Sequence, residues 1–202
     1  MRDRDLIRHY WPVELRPAFD ALFGIDDALG QVVASTSQPA LGAIRLAWWR
    51  EALERLDHSP PPPEPRLQAV AEDLLRRGIS GAEVGALESG WAAWLDEEPD
   101  LDAVAARGET LFALAARLLN SKDPRLGEAG RLFALGDAAR RGLRLPATPG
   151  LGGHHFPHAL RPLTALAKLA VRDLRDGKRL EPEATPARAA ALLAHRLFGT
   201  VA

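Results

Sequence analysis

The sequence predicts an all-α domain, a single helical bundle of about eight helices, and three observations carry that expectation. Apolar residues return at steps of three and four through most of the chain, the spacing that lines one helical face. Ala, Leu, Arg and Glu, all strong helix formers, dominate the composition. No run of β-branched residues alternates with polar ones, so the strand signal is almost nil.

The elements follow in order. From Glu14 to Ala34, the residues Leu15, Ala18, Leu22, Ile25, Leu29 and Val32 step along one face without a break. A second helix spans about Pro39 to Asp57, with Pro39 suited to a first turn. The run of four prolines within residues 58–65 ends it, since such a run is neither helix nor central strand and makes a stiff connector. Helix resumes from about Arg66 to Arg77, Gly78 stops it, and Ser80 with Glu83 forms a capping box for a helix carrying Leu87, Trp91, Trp94 and Leu95. Leu101, Val104, Gly108, Leu111, Ala115 and Leu118 define the next face, where Gly108 lets another helix come close. Asp123-Pro124 opens a helix reaching about Arg141. Residues 146–157 read as a Gly/Pro/His loop, followed by helices near 157–176 and Pro186–Phe198. There is no internal repeat, and 202 residues suffice for one sizeable core.

Composition excludes several function classes. The 26 Lys and Arg against 27 Asp and Glu are interleaved, leaving a net charge of -1 and no basic face for nucleic acid. With no cysteine, disulfides, thiolate metal sites and a thiol nucleophile are out. Nothing approaches the ~18 uninterrupted apolar residues of a membrane span. The opening Met-Arg-Asp-Arg-Asp is not followed by an apolar run of signal-peptide length. The expectation is a cytoplasmic protein without a transmembrane segment, with peripheral membrane contact left open.

On helical wheels of ~100° per residue, Asp26 flanks the apolar stripe of its helix, and Asp27 turns towards solvent. On the second helix Leu41, Ile44, Trp48, Trp49, Ala52, Leu53 and Leu56 cover more than half the circumference, and Arg45 falls within that arc. Asp137 and Arg140 point inward from a third helix, with Arg141 at the edge. A buried, unpaired charge costs several kcal/mol, so these groups either neutralise one another or line a polar cavity. The first alternative is a structural pair of Asp26 with Arg45. The second is a pocket for an anionic ligand, with arginines gripping phosphate and carboxylates holding magnesium.

Asp26-Asp27-Ala28-Leu29-Gly30, the segment Trp11-Pro-x-Glu-Leu-Arg16, the helix Arg45-Leu-Ala-Trp-Trp-Arg-Glu51 and Arg107-Gly-x-x-Leu-Phe112 together resemble the squalene/phytoene synthase family of head-to-head prenyl transferases. The resemblance is sharpest over residues 10–57 and implies a shortened isoprenoid-synthase-like fold. In the family's enzymes two Asp-x-x-x-Asp motifs face a cavity and hold the magnesium ions that bind prenyl diphosphate. Carried over, this makes Asp26, Asp27 and Asp137 the metal candidates and Arg45, Arg140, Arg141 and Arg144 the diphosphate candidates, with magnesium as cofactor.

The departures are as telling. Residues i and i+4 share a helix face, yet Gly30 stands four after Asp26 and Gln31 four after Asp27. Asp20 lies two turns before Asp27, roughly 10 Å along the axis. In the second motif region, Gly136 to Pro146, only Asp137 is acidic. The chain therefore resembles the family's noncatalytic branch, whose mitochondrial members are assembly factors for respiratory complex I. The resemblance then implies a pseudoenzyme that binds a protein partner or an isoprenoid or other lipid. The alternatives are an active magnesium-dependent prenyl transferase of isoprenoid biosynthesis and a plain helical interaction domain. The triplet His154-His155-x-x-His158 reads as loop rather than metal site, His195 as surface or interhelical, and Trp91 and Trp94 as core.

Overall fold

The protein is described by a computed structural model covering residues 2–145, 150–175 and 180–201. It is all-α apart from one short ladder. The helices are α1 (Asp3–Arg8), α2 (Arg16–Ala34), α3 (Pro39–Arg55), α4 (Pro65–Asp73), α5 (Gly81–Gly85), α6 (Glu88–Ala92), α7 (Leu101–Leu118), α8 (Leu126–Arg140), α9 (Arg161–Arg175) and α10 (Pro186–Phe198). Among the described residues no helix is long and apolar enough to cross a membrane.

Local chemistry sets most of the boundaries. Pro39, Pro65 and Pro186 stand at the first turns of their helices, where a missing N–H costs nothing. The proline connector runs without helix to Glu64, whose carboxylate caps α4 by accepting from Leu67 N at 2.8 Å. Gly78 takes φ +76° after the short 3-10 turn Leu75–Arg77, and the Ser80/Glu83 capping box forms as expected. The single helix expected beyond it is instead three short pieces, α5, α6 and a 3-10 turn at Ala93–Leu95. Gly85, a weak helix former, ends the first piece, and Gly81 and Gly90 let the pieces lie close on Leu53 and Arg107.

The centre of the molecule is the layer α7, α8 and α9, each packed on the next. Gly108 and Gly130 are each other's neighbours there, so that a Cβ on either would strike the other's backbone carbonyl. Gly136 does the same for α8 on α9, against Ala170. An aromatic chain then ties α2 to this layer. Trp11 meets Phe19 at 4.7 Å between ring centroids, Phe19 meets Phe23 at 4.4 Å, and Phe133 bridges Phe23 and Phe112 at 6.3 and 5.5 Å.

Three further features differ from the sequence expectation. Helix α1 was not foreseen, because six residues bearing four charges show little apolar periodicity. A two-residue antiparallel ladder joins β1 (His154–His155) to β2 (Thr200–Val201), closing the end of the chain onto the loop. That loop was expected over 146–157; residues 146–149 lie outside the described residues, and its later part holds β1. The last correction concerns α3. Trp49, Ala52, Leu53 and Leu56 of the expected arc do turn inward, joined by Gly42 and Leu46, but its other three members face out. Leu41, Ile44 and Trp48 are 52%, 65% and 45% exposed. The two stripes carry similar apolar bulk, so a hydrophobicity wheel does not separate them.

Candidate functional site

Helix α2 delivers Asp26 to the interior, where the residue is only 4% exposed. Its partner is Arg107 of α7, a fully buried guanidinium whose Nη1 donates to both Asp26 oxygens at 2.6 and 2.7 Å. The other terminal nitrogen of Arg107, Nη2, donates to Asp137 Oδ2 of α8 at 3.1 Å. Trp91 of α6 completes the shell of Asp26 with an indole N–H bond to Oδ1 at 2.9 Å. Its ring lies between two guanidiniums, 4.0 Å from the Arg107 carbon and 4.7 Å from that of Arg141. Arg141 in turn donates to Asp137 at 3.0 Å. Two carboxylates and two guanidiniums thus form a neutral cluster around one indole. Burial opposes the charge on Arg107, but the attraction of Asp26 and Asp137 outweighs it and holds the group above its ordinary range.

The expected pairing of Asp26 with Arg45 is thereby corrected. Arg45 is exposed and reaches only the hydroxyls of Ser35 and Thr36, at 3.3 and 3.5 Å. Because α3 turns its other stripe inward, Arg45 points away from Asp26 and takes no part in the pocket described next. Arg144 is likewise exposed and outside that pocket. Asp27 is only partly exposed; Arg4 of α1 and Arg2 at its N-cap both hold it, the latter at 3.0 Å. Burial pushes the Asp27 carboxyl up, but these two guanidiniums pull it below the usual carboxylate range.

Asp26, Asp27, Asp137, Arg140 and Arg141 do come together, around a pocket of about 390 Å³. Its apolar wall is Phe133, Leu166, Leu169 and Ala170, and its charged rim includes Arg2 and Arg4. On the far side Arg140 forms a two-pronged bond to Asp173 of α9 at 2.6 and 2.8 Å. Arg188 of α10, 1% exposed, joins the same Asp173 at 2.6 Å and Asp3 of α1 at 2.7 Å. Asp3 also accepts from Ala184 N at 2.8 Å. The first turn of α1 is thus fastened at the pocket by Asp3 to Arg188 and by Arg4 to Asp27.

The fit of magnesium can be judged from these contacts. A hard cation needs several free oxygens converging on one point. Here Asp26 and Asp137 converge on Arg107, and Asp27 turns to Arg2 and Arg4. Nor is there a place for a second acid on α2. A Cβ at Gly30 would stand 2.8 Å from the Trp91 ring and 3.0 Å from Arg141 Nη2. Among the described residues no three His, Cys, Asp or Glu side chains group to hold a metal ion. The donor set does not suit the metal.

Sequence reasoning missed Arg107, Trp91, Asp3, Asp173 and Arg188 as parts of this assembly. Arg107 carried a usable signal, lying three residues after Val104 and four before Leu111 on the buried face of α7. An arginine on that line requires buried acids. Three histidines hold structure together, while His158 is exposed: His154 Nε2 lies 3.0 Å from Asp123, His155 Nδ1 donates to Phe198 O at 3.1 Å, and His195 is buried between Thr164 and the Thr200 carbonyl. Set against known proteins, the chain matches no family model, no curated protein and no solved structure.

Proposed function

We propose that this chain is a squalene/phytoene synthase-like protein that has lost prenyl transfer and works by binding. One observation carries the reading: Arg107 spans Asp26 and Asp137, the two aspartates that the resemblance assigns to opposing metal motifs. A fixed guanidinium between them neutralises the carboxylates that a magnesium-dependent ionisation would need. Trp91 supports the reading further by filling the space beside Gly30.

The ligand side of the proposal is an isoprenoid or other lipid in the pocket, its apolar part on Phe133, Leu166 and Leu169. The volume of about 390 Å³ is at the low end of the ~300–1,000 Å³ usual for small-molecule sites. That is room for one modest ligand rather than for the two prenyl chains that a condensation joins. A protein partner is a second reading, favoured by the exposed apolar stripe of α3. The cytoplasmic setting expected from composition is kept as part of the proposal.

Incubating the purified chain with farnesyl or geranylgeranyl diphosphate and magnesium tests the loss of chemistry. No diphosphate release above a protein-free control is expected. Release that disappears in Asp26→Asn would overturn the proposal and restore the prenyl transferase.

A further inference from the structure

From Pro39 to Trp49 the sequence holds a single charge, Arg45, yet Pro39, Ala40, Leu41, Ala43, Ile44, Arg45 and Trp48 are all exposed. A helix so apolar is ordinarily buried. Here Gly42, Leu46, Trp49, Ala52 and Leu53 pack against the body, and nearly three turns of apolar surface remain on the other side. Leu41, Ile44 and Trp48 run along that surface at steps of three and four, the spacing of a helix–helix seam. The exposed alanines beside them leave room for a partner backbone to approach. Contiguous apolar surface of this kind marks an interaction site rather than ordinary exposure.

Charge identifies the occupant. Arg45 flanks the stripe, and among the described residues its hydrogen-bond partners are two neutral hydroxyls. Its guanidinium is available to a carboxylate approaching with the partner. A second copy fits poorly. The stripe's midpoint falls between Ile44 and Arg45, so a two-fold axis there would set two Arg45 guanidiniums side by side without an acid. A bilayer fits poorly as well, since helices that lie on membranes are rich in Lys and Arg. Beyond this stripe the exposed Arg50 and Arg55 are instead balanced by Glu51 and Glu54, with Arg50 3.6 Å from Glu54.

We infer that the outer face of α3 is the docking surface for an amphipathic helix of another protein, apolar at i, i+3 or i+4, and i+7, with an acidic residue beside that stripe to meet Arg45. The inference rests on the partner-binding reading but not on the pocket, which no residue of α3 lines.

A displayed library of helical peptides with randomised seam and flanking positions is the probe. Selection on the wild-type chain should enrich peptides with an apolar seam and an acid at one fixed flanking position. Ile44→Glu should abolish the enrichment while leaving the melting curve nearly unchanged, because Ile44 is 65% exposed and lies outside the hydrophobic core. Arg45→Glu should reverse the preferred flanking charge, the enriched acidic peptides losing about tenfold or more in affinity. No enrichment, or enrichment indifferent to both variants, overturns the inference. So does sedimentation with phosphatidylcholine/phosphatidylglycerol vesicles that Ile44→Glu abolishes, which would assign the face to a membrane. Dimerisation lost in the same variant would assign it to a second copy. Diphosphate release in the preceding experiment leaves all these outcomes untouched, so the two proposals fail separately.

Discussion

Arg107 and Asp26 come from helices 81 positions apart in sequence and meet where each is shielded from water, with one guanidinium nitrogen shared by both carboxylate oxygens. Neither charge is tolerable alone. Desolvating a single ion costs several kcal/mol, and the pair survives only because Trp91 and Asp137 supply further partners. The contact therefore fixes α2, α6, α7 and α8 relative to one another.

Removing the guanidinium should be far worse than removing its partner's charge. Arg107→Met strands Asp26 and crowds it against Asp137, for an expected loss of about 3–5 kcal/mol. Asp26→Asn in the Arg107→Met background should recover much of that loss. Urea denaturation of the two single variants and the double variant measures the coupling, and additive losses would contradict the described geometry.

Introducing an acid one turn after Asp26, as the proposed resemblance would require for a metal motif, should fail structurally. Gly30→Asp writes the Asp-x-x-x-Asp spacing back into α2, but its Cβ would meet the Trp91 ring at 2.8 Å. Overpacking of this kind costs about 1–3 kcal/mol. A lowered melting temperature, a shifted tryptophan emission and no stabilisation by magnesium are the expected readouts.

The second buried arginine offers an internal comparison. Arg188→Ala leaves both Asp3 and Asp173 without it, whereas Asp3→Ala leaves Arg188 still held by Asp173. The first should cost about 3–5 kcal/mol and the second distinctly less. Hydrogen exchange should show α1 opening in Asp3→Ala while α7 and α8 keep their protection.

His195 predicts a pH dependence. Burial holds its imidazole below the ordinary range, and the nearby Lys168 and Arg161 act in the same direction. In the unfolded chain it titrates near ~6.5. As pH falls through that value, the unfolded state takes up the proton first, so stability declines until the folded-state value is passed. Above the unfolded value the contribution is fully present. Denaturation between pH 7.5 and 5.0 should show this decline in the wild type and a flatter curve in His195→Gln.

How much of this was legible beforehand depends on the range of the forces involved. Helix starts at Pro39, Pro65, Ser80 and Pro186 rest on contacts within one turn, and these appear in the sequence as proline and capping signals. The close approach at Gly108 was also readable, because a glycine on an apolar line has few other uses. The inward turn of Asp26 followed from its place beside Leu22 and Leu29.

The partner of Asp26 did not follow, and neither did the outward face of α3. A wheel ranks faces by hydrophobicity, and on α3 Leu41, Ile44 and Trp48 equal Leu46, Trp49 and Leu53 in apolar bulk. Packing against α5 and α6 sets which of the two stripes enters the core. The sequence alone determined a helical chain with two inward aspartates and no acid one turn beyond either. The tertiary structure decided that an arginine fills the space between them, because which charges meet depends on helices brought together from across the whole chain.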